Sequence, residues 1–470
     1  MRLVEALRFP GQSSLAFVGA GGKTTALFRL GRELLAGRAD HMPVRTVLAT
    51  TTTHLGRWQA SQADQLVWLR SESDLTRLES ELPAGIVLLV SGQRSERLRG
   101  VSSSMLENVR LLANTAGLPF LIEADGARMK PLKAPGKHEP AIPGFVQTVV
   151  VVAGLSALGK PASGQWIHRP RLFTRLGNLH EGVLITADGL VKILCSQDGG
   201  LKNIPPGAKR VALLNQADTA KMRAQGELLA KQLLPVYNTV LVASLSQKDL
   251  PPNGKPDTLA SYTGEVHARL EPVAGIVLAA GGSERFGQPK QLLPWQGQPL
   301  IRHVAREAIK AGLSPVEVVV GAAGAEITAA IKDLPLRIVN NQAWAQGMST
   351  SIRAGLSALS EYVGGALFLQ ADQPQISSQL IHALVRAHQC SPSAIILPRV
   401  NGNRGNPVLF DRSVFPDLLT LEGDIGGRSL FEKYPQFWIE WGDPEILMDI
   451  DTPDDYQRLL EIHPWPEVNP

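Results

Sequence analysis

The stretch AGIVLAAGGSERFGQPKQLLPWQGQPLIRHV, residues 274–304, passes from an apolar run into a glycine-rich loop and then into a helix-like segment. Its opening residues are β-branched and apolar, as expected of a strand buried on both faces. Gly281, Gly282 and Gly287 let the chain turn tightly and present backbone N–H groups to a triphosphate. Arg285 and Lys290 follow at positions from which they can neutralise the triphosphate and the departing pyrophosphate. A helix is predicted to begin near Pro299. The loop is not a Walker loop, and a plain surface turn would not need this combination.

The pattern repeats downstream. Val316–Gly321, Ala366–Asp372 and Ser393–Pro398 read as short buried strands separated by helical segments, the signature of an α/β sheet. Nucleotidyl transfer needs a divalent ion, and strand-end carboxylates are the expected ligands. Asp372 in ALFLQADQP, and Asp449 and Asp451 in ILMDIDTPDDY, are the candidates, both groups read as ending strands. Asp454 and Asp455 are expected to start the last helix. NQAWAQGMSTSIRAGL offers Gln346, Gly347, Met348, Ser349 and Ser351 as an anion or acceptor contact, with Ser349 equally readable as a helix cap. NGNRGNPVLF, residues 401–410, is either a hairpin or a phosphate contact through Arg404.

Upstream, SLAFVGAGGKTTALFRLGREL (residues 14–34) also runs strand, glycine turn, helix. Gly19, Gly21 and Gly22 are expected to line an anion cradle, Lys23 to reach the β/γ-phosphates and Thr24, followed by Thr25, to meet Mg²⁺. Phe17 stands where the Walker pattern has its first glycine, so the match is to a shortened GxxGKTT loop. Glu123 and Asp125 close the strand PFLIEAD, where a nucleotidase needs a carboxylate for Mg²⁺ or water. Asn215 and Asp218 in LLNQAD are similar to a guanine-reading NKxD motif, with Gln216 in place of lysine; a strand-end turn is the other reading. Arg128, Lys130, Lys133, Lys137 and His138 lie among four prolines in residues 126–143, with His168, Arg169 and Arg171 nearby. Cations on proline-stiffened loops suit a polyanionic ligand.

The 470 residues allow about three domains at roughly 150 residues each, or two large ones. A net charge of +4 conceals a division: residues 1–270 carry 32 Lys and Arg against 21 Asp and Glu, whereas residues 271–470 carry 15 against 22. Hydrophobic residues at 44% and charged residues at 19% exclude a disordered or fibrous chain. Few aromatics interleave with the cations, which disfavours nucleic acid. Cys195 and Cys390 are too isolated for a disulfide framework or zinc site. The N-terminal MRLVEALRFPGQ has no signal-peptide pattern, and the longest apolar run, near Thr148–Leu158, falls short of the roughly 20 residues that span a bilayer. A soluble cytoplasmic protein without membrane contact is expected.

Two family resemblances add to this. GAGGKTT, TTTTH, EADGARMKPLKAP with HEPAIP, and LLNQADT resemble the accessory protein family of selenium-dependent molybdenum hydroxylases, over about residues 5–245. LAAGGSERFGQPKQLLPW, NQAWAQGMSTSIRAGL, LQADQPQI, RGNPVLF, EGDIGGRSL and DIDTPDDY resemble the molybdenum cofactor cytidylyltransferases, within the glycosyltransferase-A-like nucleotidyltransferases, over about residues 272–462. The second resemblance implies CTP and Mo-molybdopterin as substrates and Mg²⁺ or Mn²⁺ as the ion. It further implies nucleotide contacts from Leu278, Ala279, Ala280, Gly281, Gly282, Lys290 and Gln370. Arg285, Lys290 and Asp372 would act in catalysis, with Asp372, Asp449 and Asp451 on the metal. The first implies a molybdenum hydroxylase client; the residues themselves give that half a nucleotide site at Gly19, Gly21, Gly22, Lys23, Thr24, Thr25, Asn215 and Asp218, with metal contacts at Thr24 and Asp125.

The expectation is therefore two α/β domains, each a mainly parallel sheet with flanking helices. Residues 1–247 would form a P-loop-like nucleotide-binding accessory domain, 248–271 a linker, and 272–470 a Rossmann-like nucleotidyltransferase domain. The alternatives are a GTP- or sugar-phosphate-specific transferase and a nucleotide-gated cofactor insertase or chaperone.

Overall fold

The computed structural model describes residues 1–37, 44–180, 182–247, 262–283 and 286–464. The chain divides into two compact units, Met1–Leu270 and Glu271–Pro470.

The first unit is built on a nine-stranded sheet. Its strands are β1 (Ser14–Gly19), β2 (Thr46–Thr51), β3 (Gln65–Trp68), β4 (Gly85–Val90), β5 (Phe120–Glu123), β6 (Thr148–Gly154), β7 (Lys209–Asn215), β8 (Thr239–Ala243) and β9 (Val266–Leu270). They lie in the order β9-β8-β7-β6-β1-β5-β2-β4-β3. All neighbours are parallel except β8 and β9. Successive side chains alternate between two cores: Ala16, Val18, Val149 and Val151 enter one, Leu15, Phe17, Val150 and Val152 the other. Helices cover both faces, which explains why these strands are apolar throughout rather than alternating. Each fully buried Val, Leu or Phe contributes about 1.5–3 kcal/mol. The central position of β1 puts its glycine turn at the carboxyl edge, where the chain departs to either side and a crevice opens.

The expected linker is corrected at its C-terminal end. Tyr262–Thr263 pairs with Ser246–Gln247, and β9 zips antiparallel onto β8, so these residues belong to the first unit. Residues 248–261 lie outside the described residues. The polar, proline-rich composition extends only to about residue 264. Beyond it VHARL alternates like a half-covered edge strand.

The second unit carries an eight-stranded mixed sheet. Its strands are β10 (Val273–Ala279), β11 (Val316–Val320), β12 (Arg337–Asn340), β13 (Gly365–Gln370), β14 (Ile395–Val400), β15 (Asn403–Arg404), β16 (Val408–Asp411) and β17 (Gln436–Glu440). The order is β12-β11-β10-β13-β16-β14-β15, with β17 alongside β14. Strands β12, β11, β10 and β13 are parallel; β16 runs against both β13 and β14. Val277, Ala279, Val318 and Leu367 face one core, Ile276, Val319, Ala366 and Phe368 the other. The helix Leu300–Lys310 starts from Pro299, as its sequence predicts.

One strand expectation fails. Asp449 and Asp451 follow a 3-10 turn, Pro444–Leu447, and sit in an irregular segment before the helix Pro453–Ile462. Pro444 supplies a turn start and removes a backbone donor, so the apolar ILM run cannot continue a sheet. Among the described residues no helix is long and apolar enough to cross a membrane.

Candidate functional site

In the second unit, β10 and β13 run side by side, with Leu278 level with Gln370. Their carboxyl ends therefore deliver the glycine loop and Asp372 to one place. The result is a cleft of about 630 Å³, lined by Leu278, Ala280, Gly281, Gly282, Lys290, Gln370, Asp372 and Asp451, with Trp344–Met348 along a further wall. Of the residues predicted here, Ala279 is buried in the core behind the loop, and Arg285 lies outside the described residues.

Lys290 is the hub. Its Nζ lies 2.6 Å from Oδ2 of Asp372 and 3.0 Å from Oδ1 of Asp451, and donates to the Ile450 carbonyl at 2.9 Å. Burial alone would lower its pKa, but the two carboxylates outweigh burial and raise it. The loop that presents Lys290 is braced: its N–H donates to Ser283 Oγ at 3.1 Å, and Gln291 Nε2 donates to the Gly281 carbonyl at 3.1 Å.

Asp449 is tied to Gln373 through that residue's amide. Burial first, and the negative charge of Asp372 second, push its pKa up. Asp372 Oδ1 is buried and accepts no hydrogen bond. Two adjacent carboxylates with an unsatisfied oxygen are a donor set short of positive charge. Among the described residues no three acidic, His or Cys side chains are arranged as a complete metal cage. A divalent ion held by one or two carboxylates together with substrate phosphates needs no such cage.

On the opposite wall, Gly347 precedes the helix Met348–Ser357 with no side-chain cap. Ser349 is not the cap: its hydroxyl is buried without a hydrogen-bond partner. Thr350, whose hydroxyl donates to the Gly347 carbonyl at 2.8 Å, braces the turn instead, and Asn341 clamps Thr350 and Ser351 at 2.8 and 3.0 Å. The NGNRGN segment is a two-residue hairpin between β14 and β15, with Asn401 and Gly402 at φ of 49° and 83°. Asp455 caps the final helix with Thr452 rather than joining the cleft.

In the first unit the glycine turn closes differently from the sequence expectation. The N–H groups of Gly19, Ala20 and Gly21 are already bonded, to Asp125 Oδ2 and to the carbonyls of Val152 and Lys130. The open donors are therefore those of the helix start, which has Gly22 as its cap residue and no capping side chain. Gly21 adopts φ of +89°, and a Cβ there would stand 2.5 Å from the Gly154 nitrogen. Only glycine permits both.

Around this turn lies a buried ionic chain. Lys23 Nζ contacts Asp125 at 3.1 Å and donates to the Gly19 carbonyl at 2.8 Å. Lys133 bridges Asp125 and Glu139, each at 2.8 Å, and Arg169 holds Glu139 bidentately at 2.7 and 2.8 Å. Burial opposes charge on Lys23, yet Asp125 and Glu123 together raise its pKa. Glu139 is drawn down to about 2 despite burial, by Arg169 and Lys133. His168 is lowered to about 4 by burial and the surrounding cations.

Asp125 and Glu123, two residues apart, take different partners around the turn. Asp125 Oδ2 meets Lys133 and accepts from the Gly19 N–H, and its buried Oδ1 faces Lys23 at 3.1 Å without accepting a hydrogen bond, whereas Glu123 takes the hydrogen bond from Thr24 Oγ1 at 2.7 Å. Gln59 also donates to Thr24 at 2.9 Å, a contact the sequence did not signal. Asn215 is likewise spent: its amide donates to the Gly21 carbonyl at 2.9 Å and accepts from the Leu245 N–H at 2.8 Å. It is a strut under the loop rather than a base reader, while Asp218 is exposed. Among the basic residues expected to meet an anion, Lys133 is buried and Arg169 half-buried, both paired with Glu139, and Lys137 and His138 are exposed.

The chain belongs to the YqeC family through its first unit, and its second unit carries a MobA-like NTP transferase domain. Residues 275–437 match the MobA-like NTP transferase domain and residues 15–171 match the YqeC protein model. The uncharacterized protein YqeC of Escherichia coli K12 is 32% identical over 216 residues, covering 46% of this chain and 80% of that protein. Nicotine blue oxidoreductase of Paenarthrobacter nicotinovorans is 32% identical over 200 residues, 40% of this chain and 96% of that protein. Molybdenum cofactor cytidylyltransferase of Escherichia coli K12 is 27% identical over 192 residues, 40% and 97% respectively. The chain is a nucleotidyltransferase.

Proposed function

We propose that the second unit transfers CMP from CTP to the terminal phosphate of Mo-molybdopterin, giving the cytosine dinucleotide cofactor and pyrophosphate. The observation that carries this is Lys290 held between Asp372 and Asp451 at the mouth of the glycine loop. A phosphate oxygen of the acceptor forms the new bond to the α-phosphorus, and the α–β bridging bond breaks as pyrophosphate leaves with the electron pair. No covalent enzyme intermediate is needed. The glycine loop orients the triphosphate, and Lys290 moves from its carboxylates onto the leaving group's charge. Arg285 is assigned the same work. Asp372 with Asp449 or Asp451 would hold Mg²⁺ or Mn²⁺, whose contribution is to offset charge on the α-phosphate and leaving group.

One relative is named as an oxidoreductase; the paired acidic groups around Lys290 suit phosphate chemistry and support the transferase reading. Incubating the purified chain with each of the four NTPs and Mo-molybdopterin, then identifying the pterin product by mass, tests the proposal. CTP should be preferred; a GTP product would overturn the cytidylyl assignment.

For the first unit, the reading is a Mg²⁺-nucleotide site in which the start of the helix Lys23–Leu35 takes phosphate, with Thr24 and Glu123 beside the ion. It would serve maturation of a molybdenum hydroxylase client in the cytoplasm, either by hydrolysis or as a nucleotide-gated insertase. Hydrolysis of ATP and GTP by the Lys23→Ala chain, measured alongside client maturation, separates these.

A further inference from the structure

At the carboxyl edge of the first unit's main sheet stands a small antiparallel sheet of three short strands. His54–Gly56 follows β2, Gly92–Arg94 follows β4, and Arg97–Arg99 pairs with both. Its two faces differ. Leu55 and Leu98, directly opposite each other, are buried in the core beneath. The outer face carries Arg94 opposite Arg97 and His54 opposite Arg99, all four exposed. Strand geometry spaces Arg97 and Arg99 about 7 Å apart on that face, with cross-strand neighbours about 5 Å away.

Like charges directly opposite one another destabilise a sheet. Elsewhere in this unit Arg29, Arg32, Arg110 and Arg169 each meet a carboxylate. Among the described residues the guanidinium groups of Arg94, Arg97 and Arg99 make neither an ion pair nor a hydrogen bond, and Glu96, in the turn between them, makes no ion pair with them. The space above Gly92 is open, whereas a Cβ on Gly56 would stand 2.9 Å from Trp58 Nε1 and 3.1 Å from Gln59 Oε1. Trp58 therefore borders the face, and its indole is left 60% exposed. Gln59 ties the same border to the phosphate turn: it accepts from the Gly56 N–H and donates to Thr24 Oγ1, both at 2.9 Å.

We propose that this outer face docks a partner protein through an extended acidic segment, its carboxylates meeting Arg94, Arg97 and Arg99 and an apolar side chain resting on Trp58. Alternate residues of an extended chain repeat at about 7 Å, the spacing of Arg97 and Arg99. Arginine and tryptophan are the residue types that dominate the energetics of protein interfaces. A single strand of nucleic acid stacks successive bases on several aromatic rings, and this face offers one. The proposal does not depend on the transfer reaction of the second unit.

The test is fluorescence anisotropy of the full chain with a labelled octapeptide alternating glutamate and threonine, compared with the same peptide carrying glutamine for glutamate. The glutamate peptide should bind at least about tenfold more tightly. Arg94→Gln, Arg97→Gln and Arg99→Gln combined should weaken it roughly tenfold or more, and Trp58→Ala about threefold or more. Lysine at the same three positions should keep most of the binding, and Arg45→Gln with Arg77→Gln, exposed elsewhere on this unit, should leave it unchanged. The triple glutamine variant should melt no lower than wild type, because it relieves repulsion; a lower melting temperature would show the arginines serving the fold and count against docking. Equal binding of the two peptides, or equal binding by wild type and the triple glutamine variant, overturns the proposal. Octadeoxythymidylate bound more tightly than the glutamate peptide through the same arginines would also overturn it, making this a nucleic-acid surface.

Discussion

The Lys290 ammonium and the Asp372 carboxylate meet at 2.6 Å across the mouth of the nucleotide cleft. The pair keeps a mostly buried cation charged and ready while leaving Asp372 Oδ1 without a hydrogen bond. Replacing Lys290 by Ala should lower kcat for nucleotidyl transfer by about 10²–10³, the usual loss for one electrostatic stabiliser. Steady-state assays with CTP varied will check this. A fall in affinity alone, at constant kcat, would contradict a role in the transition state.

Asp372→Asn retains shape and removes charge. It should abolish transfer and weaken Mn²⁺ binding measured by calorimetry in the presence of α,β-methylene-CTP, while circular dichroism stays unchanged. Full activity in this variant would remove the metal role proposed for Asp372.

Lys23→Ala removes one cation from the buried chain but leaves Asp125 bonded to Lys133 and the Gly19 N–H. The expected loss of stability is accordingly modest, about 1–3 kcal/mol by denaturant titration. Nucleotide binding by the first unit should fall at least about tenfold, because the lysine that meets the phosphates is gone.

Glu139 offers a pH signature. Its folded-state pKa of about 2 lies below the ordinary value of 4.5. Its contribution to stability is therefore present above about pH 4.5 and is lost as pH falls toward 2. Acid titration of the first unit's unfolding should show this window, and Glu139→Gln should flatten it. An unchanged slope would mean the Arg169 and Lys133 contacts are not formed in solution.

Gly21→Ala should destabilise the first unit by more than about 2 kcal/mol, combining a left-handed residue with a 2.5 Å clash against backbone. Gly207→Ala, also at positive φ (+79°) but with open space around it, should cost only about 1 kcal/mol. Thermal melts of the two variants compare strain alone with strain plus contact.

Much of this was legible in the chain itself. Apolar β-branched runs alternating with helical segments dictate parallel-rich sheets, because only a sheet covered on both faces buries such strands. The glycine turns, Lys23, Lys290 and Asp372 were equally visible, since each sits within a few residues of a strand end and local geometry carries it to the sheet edge. What local sequence could not decide was which polar groups remain available there. Asp125 and Glu123 are two residues apart and chemically alike, yet one is consumed by Lys133 and the other by Thr24. Asn215 looks like a reader of bases and serves as a strut. Arg404 reaches the Phe431 ring, 4.9 Å from its centroid, only because β15 and the segment after residue 420 fold together. A strand end and its loop are specified by neighbours along the chain, whereas the pairing of charges is specified by whatever tertiary packing brings within about 4 Å, where burial makes every uncompensated charge costly.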